Sequence, residues 1–459
     1  MAVGSEEPGR ETHRTSVRVV HVLPLVPVFI VGLIAAQPIR DNSLLWHIRA
    51  GAIQLADRLV IVSDPFSMAM KGNPWRTQSW LLELLYAYLD DVADSLVWVS
   101  LFVFVVGVGT AAVIGLSIYT STPSPVTLSI AIVAMMWLAA PFLQPRPVIV
   151  SYLLLAMLVV VLQNRSVTLW LVIPIIWIWA AVHGSWVIGG GLLVLEWIRT
   201  SDRRLLRTGL VALVATLLTA HGLGAWRILV DFAGSQGALA LIDEWRVPDF
   251  GDLLQAPYLL LIAGVIVAAI RGKLSARDLV VILPFLFFGM TSRRAVFPAA
   301  IVVAPWAALA LPALKIPRSA MPPKFVGAVM VVVAFVTLTP LIVQPLGVLD
   351  VERFPGTEIQ EAMRGRDVFH DDVVGGFLIY DEWPDRLVFI DDRAELYGEE
   401  FFNQFLRVRD GQYEELFTEY GFTNALTRDD WGLTARLDAD GWVRIIERDS
   451  MVLFGEPRG

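Results

Sequence analysis

The residues able to do chemistry in this 459-residue chain are few, and they stand at the edges of long apolar runs. Asp41, Trp46 and His47 lie in RDNSLLWHIRAG, Asp64 in SDPFSM, and Trp75 and Gln78 in NPWRTQSW. Further along come Arg146 in QPRP, His183 in WAAVHGSW, Glu244 in DEWRVPDF, Arg293 and Arg294 in TSRRAVF, and Asp391 with Arg393 in FIDDRAEL. A partly desolvated carboxylate takes a proton from a hydroxyl, which gives the base role to Asp41, with Asp64 as substitute. An arginine fork binds phosphate at two points and stabilises it as a leaving group, the role of Arg146 and of Arg293 or Arg294. Trp46, His47, Trp75, Gln78, His183, Glu244, Asp391 and Arg393 complete the set as substrate contacts.

Each also has a structural reading. Asp41 precedes a helical pattern and suits an N-cap; Asp64, before Pro65, organises a turn; Arg146 snorkels towards headgroups; Glu244 pairs with Arg227 or Arg246. Arg293 and Arg294 are adjacent, so at most one faces a site. No His, Asp or Glu spacing has the strength of a metal signature; if a divalent cation such as Mg or Mn takes part, Asp41 is its ligand. A nucleophile elbow is absent.

The elements that must position these groups are set by composition. With 56% hydrophobic and 17% charged residues and a mean hydropathy of +0.62, the chain reads as a polytopic α-helical membrane protein in contact with a lipid bilayer. It has no cysteine, which excludes disulfides and thiolate metal sites, and its net charge of −8 argues against a nucleic-acid partner. Apolar runs at 19–36, 95–119, 126–142, 148–162, 167–182, 186–198, 205–220, 257–270, 279–290, 295–314 and 325–343 predict about eleven transmembrane helices. A basic flank puts residues 1–18 in the cytoplasm, and alternate loops then carry Arg165, Arg199 to Arg207, Arg271 to Arg277 and Lys315 to Lys324 on the same side. The chemistry-bearing groups fall on the opposite, outer side, within the first outer loop, 37–80, and later turns. Residues 43–59 have the spacing of an amphipathic helix lying in the interface. The run Gly189-Gly190-Gly191 is read as close helix packing, without a phosphate-binding role.

From 346 to 459 the chain turns polar and acidic and reads as a small extracytoplasmic α/β domain, the region before it, 19–345, being the transmembrane domain. Strands are expected at 375–380, 387–390 and 442–446, and helices at 401–409 and 413–420. Charge collected at one membrane face, with span interiors almost free of it, favours surface chemistry over transport. Such a kit suits moving a sugar from a lipid phosphate.

The chain resembles the GT-C class of membrane glycosyltransferases, and more closely a group of prokaryotic multi-span proteins of that kind. The matching pieces are DNSLLWHIRAG, SDPFSMAMKGNPWRTQSWLLELLY, WAAVHGSW, DEWRVPDF, SRRAVF and GGFLIYDEWPDRLVFIDDRAELYG. The group shows D-x-D-x-x-W-H followed by D-P-F-S; Asp41 matches the first acid, while Ser43 stands where the second is expected. The resemblance implies a GT-C-like fold and an inverting glycosyltransferase of the cell membrane. An enzyme on the outer face has no access to nucleotide-sugar pools, so its donor is expected to be a polyprenyl-phosphate sugar; the acceptor, a glycan, lipid or protein outside the cytoplasm, is not supplied by the resemblance. A polysaccharide polymerase or ligase and a non-catalytic envelope scaffold are the alternatives.

Overall fold

The structure, a computed structural model, describes residues 23–92, 95–122, 124–234, 237, 243–312, 314 and 346–457. The tail 1–18, the span expected at 325–343 and the basic residues Lys315, Arg318 and Lys324 lie outside the described residues. The chain is mostly helical: α1 (Leu25–Ala35), α2 (Asn42–Asp57), α3 (Trp80–Asp91), α4 (Val97–Tyr119), α5 (Pro125–Ala139), α6 (Val148–Gln163), α7 (Val172–Val182), α8 (Trp186–Thr200), α9 (Arg203–Ala215), α10 (Gly224–Gly234), α11 (Pro257–Ile270), α12 (Leu279–Gly289) and α13 (Arg293–Ala307). The spans expected between 19 and 314 each fall on a helix. Three helical stretches among the described residues, Val97–Tyr119, Pro125–Phe142 and Arg293–Ala310, are long and apolar enough by themselves to cross a membrane, so a count near eleven goes beyond what helix length supports. The others are shorter, or polar at one end, as α9 is with Arg203, Arg204 and Arg207.

The helices share one large apolar core, in which Val103 of α4, Leu155 of α6, Ile176 of α7 and Val302 of α13 are buried. A second core joins the first outer loop to the C-terminal region: Leu44, Leu45, Phe66, Trp75 and Tyr86 pack with Phe354, Ile359, Phe377, Leu378 and Leu453. Helix α2, expected in the interface plane, is therefore covered by protein, with α3 on one side and the helix at Asp372–Glu382 on the other. Two glycines allow that closeness. A Cβ on Gly51 would stand 2.0 Å from the carbonyl oxygen of Glu83, and one on Gly376 would stand 2.7 Å from that of Asn42.

The C-terminal region holds α14 (Thr357–Met363), α15 (Asp372–Glu382), α16 (Ala394–Arg409), α17 (Glu414–Tyr420) and α18 (Gly432–Ala439) with strands β1 (Val368–Phe369), β2 (Asn424–Arg428), β3 (Val443–Arg448) and β4 (Met451–Gly455). The sheet runs β1-β2-β4-β3, with β1 parallel to β2 and the other pairs antiparallel. Asp449 and Ser450, both at positive φ, make the tight turn between β3 and β4. The expected strand at 375–380 is instead the interior of α15: GGFLIY is buried around the helix, so its pattern shows no period, and the Asp371 side chain caps it through the Val374 N–H at 2.8 Å. Residues 387–390 form no named strand; Val388 only bridges the first loop, donating to Phe66 O at 3.0 Å and accepting from Met68 N at 2.8 Å. The expected strand at 442–446 coincides with β3, and the helices expected at 401–409 and 413–420 with α16 and α17.

Candidate active site

A cavity of about 510 Å³ opens where the helical core meets the C-terminal region. The first turns of α6, α8 and α13 reach it through Val148, Trp186's neighbour Val187, and Arg294 with Ala295. Helix N-termini direct unsatisfied N–H groups and partial positive charge at whatever lies before them. Prolines and short turns place them there: QPRP stops α5 and starts α6, and H-G-S turns the chain between α7 and α8. Gly184 in that turn lies under Gln78, whose Oε1 would be 2.5 Å from a Cβ. Beyond the polar end, Leu155, Val187, Ile188, Leu229, Phe288 and Pro298 make an apolar wall.

Arg146 is the centre of the polar end. Its Nε donates to Asp41, its Nη1 donates to Glu244 at 2.8 Å, and Nη2 has no partner among the described residues. Glu244 is also 3.6 Å from Arg294, whose guanidinium lies 5.4 Å from the ring centroid of Trp245. Burial would raise the Glu244 carboxyl, but Arg146 and Arg294 hold it below its ordinary range. Arg146 and Arg294 thus share one carboxylate at the polar end of the cavity.

The C-terminal region contributes acids. Asp392 accepts hydrogen bonds from the Ser43 hydroxyl and, at 2.7 Å, from Trp46 Nε1. Ser43 occupies the position where the resemblance expects a second acid, and a carboxylate from 349 residues away meets it there. Burial and the nearby Asp41 raise Asp392, against the opposing pull of Arg146. Asp372, at the start of α15, is pushed up to about 7 by burial and by Asp371 and Asp392. Glu395 is raised by burial and accepts from Trp75 Nε1 at 3.3 Å. Arg353 lines the same side.

His47 faces the cavity from α2. Its Nδ1 is 2.7 Å from Glu83, which is fully buried and also accepts from Gln54 Nε2 at 2.6 Å and from the Thr77 hydroxyl. The imidazole lies against Trp46, tilted by 31°, with centroids 3.6 Å apart.

Of the residues singled out from sequence, Trp46, His47, Trp75, Gln78, Arg146, His183, Glu244, Arg294 and Arg393 line the cavity. Asp41, Asp64, Asp391 and Arg293 do not. Asp41 caps α2 through the Ser43 N–H at 2.9 Å and holds Arg146 with its other oxygen. Asp64 accepts from the backbone of Phe66 and Ser67, from the Ser67 hydroxyl and from Arg393 at 2.7 Å. Burial would raise it, but Arg393, Ser67 and Phe66 together hold it low, which suits a structural anion better than a base. Asp391 pairs with Arg393 at 2.5 Å and accepts from Tyr397 at 2.8 Å. Arg293 turns to Asp243, so Arg294 is the member of the pair that faces the cavity. No group of three or more His, Asp or Glu side chains among the described residues is arranged to hold a metal ion, and Asp41 is committed to Ser43 and Arg146.

Asp372, Glu395 and Arg353 were not among the residues chosen from sequence, and Asp392 was marked only as the middle of the D-D-R loop. In D-D-R the adjacent acids take different partners, Asp391 holding Arg393 and Asp392 holding Ser43 and Trp46; sequence marks the cluster but not which member enters a site. No protein-family model and no curated protein matches the chain.

Proposed function

We propose that the chain is a multi-pass membrane glycosyltransferase that moves a sugar, with inversion, from a polyprenyl-phosphate donor to an extracytoplasmic glycan, lipid or protein. The supporting observation is the two-part cavity, in which Arg146, Arg294 and the first turns of three helices gather positive character beside an apolar wall. A phosphate bonds to the free Nη2 of Arg146 and to Arg294, and the isoprenoid lies along Leu155, Ile188 and Phe288. Asp41 serves by fixing the Arg146 fork, since both its oxygens are engaged. The acids of the C-terminal region receive the hydroxyls of the sugar or acceptor.

In this reading the cavity is at the outer face of a prokaryotic cell membrane, the chain spans it about eleven times, the N-terminus is cytoplasmic and the C-terminal domain is outside. A basic cluster at the far ends of α6 and α8 supports that orientation. Glu196, ten residues or about 15 Å along α8 from Trp186, pairs there with Arg165 and, at 2.9 Å, with Arg199.

The test is donor binding by protein in lipid nanodiscs, with a panel of polyprenyl-phosphate monosaccharides. Wild type should bind at least one, and Arg146→Ala should weaken binding at least tenfold, as expected for loss of a charge-assisted phosphate contact worth about 1.5–3 kcal/mol. Folded wild type that binds none of the panel overturns the assignment. Binding only of lipid-linked oligosaccharides moves it to a polymerase or ligase.

A further inference from the structure

We infer that His47, oriented by the buried Glu83, is the general base of the cavity, an assignment that deepens the glycosyltransferase reading and rests on it for the identity of the substrate. The argument starts from hydrogen-bond capacity. Glu83 accepts from Gln54 Nε2 and Thr77 Oγ1, two groups placed to donate, while its first oxygen also meets His47 Nδ1. With Gln54 and Thr77 donating to it, Glu83 meets His47 as an acceptor, which places the imidazole proton on Nδ1. Nε2 is then a lone pair. It has no partner among the described residues and is not among the enclosed, unsatisfied atoms, so on a residue lining the cavity it is open to that space. The ring contact with Trp46 and the Glu83 contact orient the imidazole.

The carboxylates are less suited to the task. Asp41 and Asp64 are outside the cavity and fully engaged. Asp392 spends one oxygen on Ser43 and the other on Trp46. Glu395 accepts from Trp75. Asp372 lies buried beside Asp371 and Asp392, whose charges favour its neutral form. In the transfer, His47 Nε2 takes the proton of the acceptor hydroxyl as that oxygen bonds to the anomeric carbon. The bond from this carbon to the phosphate oxygen breaks, its electron pair leaves with the phosphate, and the imidazolium later releases its proton to water. Glu83 is the positioning residue: its charge holds the tautomer and steadies the imidazolium.

Two measurements in nanodiscs test this. The first is the ¹⁵N spectrum of histidine-labelled protein, in which His47→Gln identifies the His47 signal among six histidines. Wild type near neutral pH should show His47 protonated at Nδ1 and unprotonated at Nε2, and Glu83→Gln should reduce that tautomer. The second is turnover with a polyprenyl-phosphate donor. His47→Gln should lower kcat about 100-fold or more, the scale of general-base catalysis, with donor Kd changed less than threefold. Glu83→Gln should lower kcat with donor Kd likewise kept. An Nε2–H tautomer in wild type, a tautomer indifferent to Glu83→Gln, or full turnover by His47→Gln each overturns the assignment. The expected tautomer in a wild type that turns over no donor supports the base and sinks the sugar-transfer reading, so the two failures are told apart.

Discussion

A carboxylate close to a cavity is defined by what it already holds. Asp41 and Asp64 have the sequence context of catalytic acids, yet the first closes a helix cap and grips Arg146, and the second sits under Arg393 in an almost solvent-free pocket. The guanidinium of Arg393, 1% exposed, also lies 4.5 Å from the Trp75 ring centroid. Breaking such a pair by Asp64→Asn should cost about 3–5 kcal/mol, seen as a large drop in unfolding temperature in nanodiscs. Asp372 has the opposite character. Its folded carboxyl binds protons more tightly than an unfolded one, so its favourable contribution is complete below about pH 4 and is lost as pH rises through about 7. Asp372→Asn should therefore match wild type at pH 4 and be more stable by about 2–4 kcal/mol at pH 8; thermal unfolding across that range checks the sign. Most of the residues chosen from sequence do line the cavity, because Arg, His and Trp next to apolar runs are costly unless used. Asp372 was not legible, and Asp392 only as one of a loop's two acids, since they lie in a polar region rich in acids, where nothing local separates a cap from a ligand.

At the scale of elements, the apolar runs located the helices well because apolar stretches of 12 to 25 residues between polar breaks survive any packing arrangement. Amphipathicity misled at α2, whose apolar stripe is the same whether it meets lipid or α3 and α15; periodicity reports that a face is covered, not by what. The crossing of α2 and α3 depends on Gly51. Gly51→Ala should lower stability by about 1–3 kcal/mol through overpacking, even though alanine is the better helix former, and should shift Glu83 away from His47. Gly190 is the contrasting case. Of the three consecutive glycines read as a packing site, only Gly189 is crowded, since a Cβ there would stand 2.7 Å from the Trp179 ring, while Gly190 and Gly191 face open space. Gly190→Ala should raise the unfolding temperature slightly, by up to about 1 kcal/mol in free energy.

For the whole molecule, the division at residue 346 follows composition but not packing. Ile39 pairs with Leu349, Ser67 with Val388 and Arg40 with Asp350, and a single apolar core runs through both partners. Residues 346–459 made alone should expose Phe377 and Leu378 and bind a hydrophobic dye, whereas the same region in the whole chain should not; a compact, dye-free fragment would show that the first loop is dispensable to it. The pairing was invisible in sequence because its members are more than 300 residues apart and each half reads as complete. That separation also sets an order of events during synthesis. Asp64 and Arg393 are 329 residues apart, so at roughly 5–20 residues per second the loop waits about 20 to 60 seconds for its partner to leave the ribosome. During that interval the loop carries an unmatched anion and uncovered indoles, which makes it a natural place for a chaperone to bind and for a stalled chain to be recognised and destroyed.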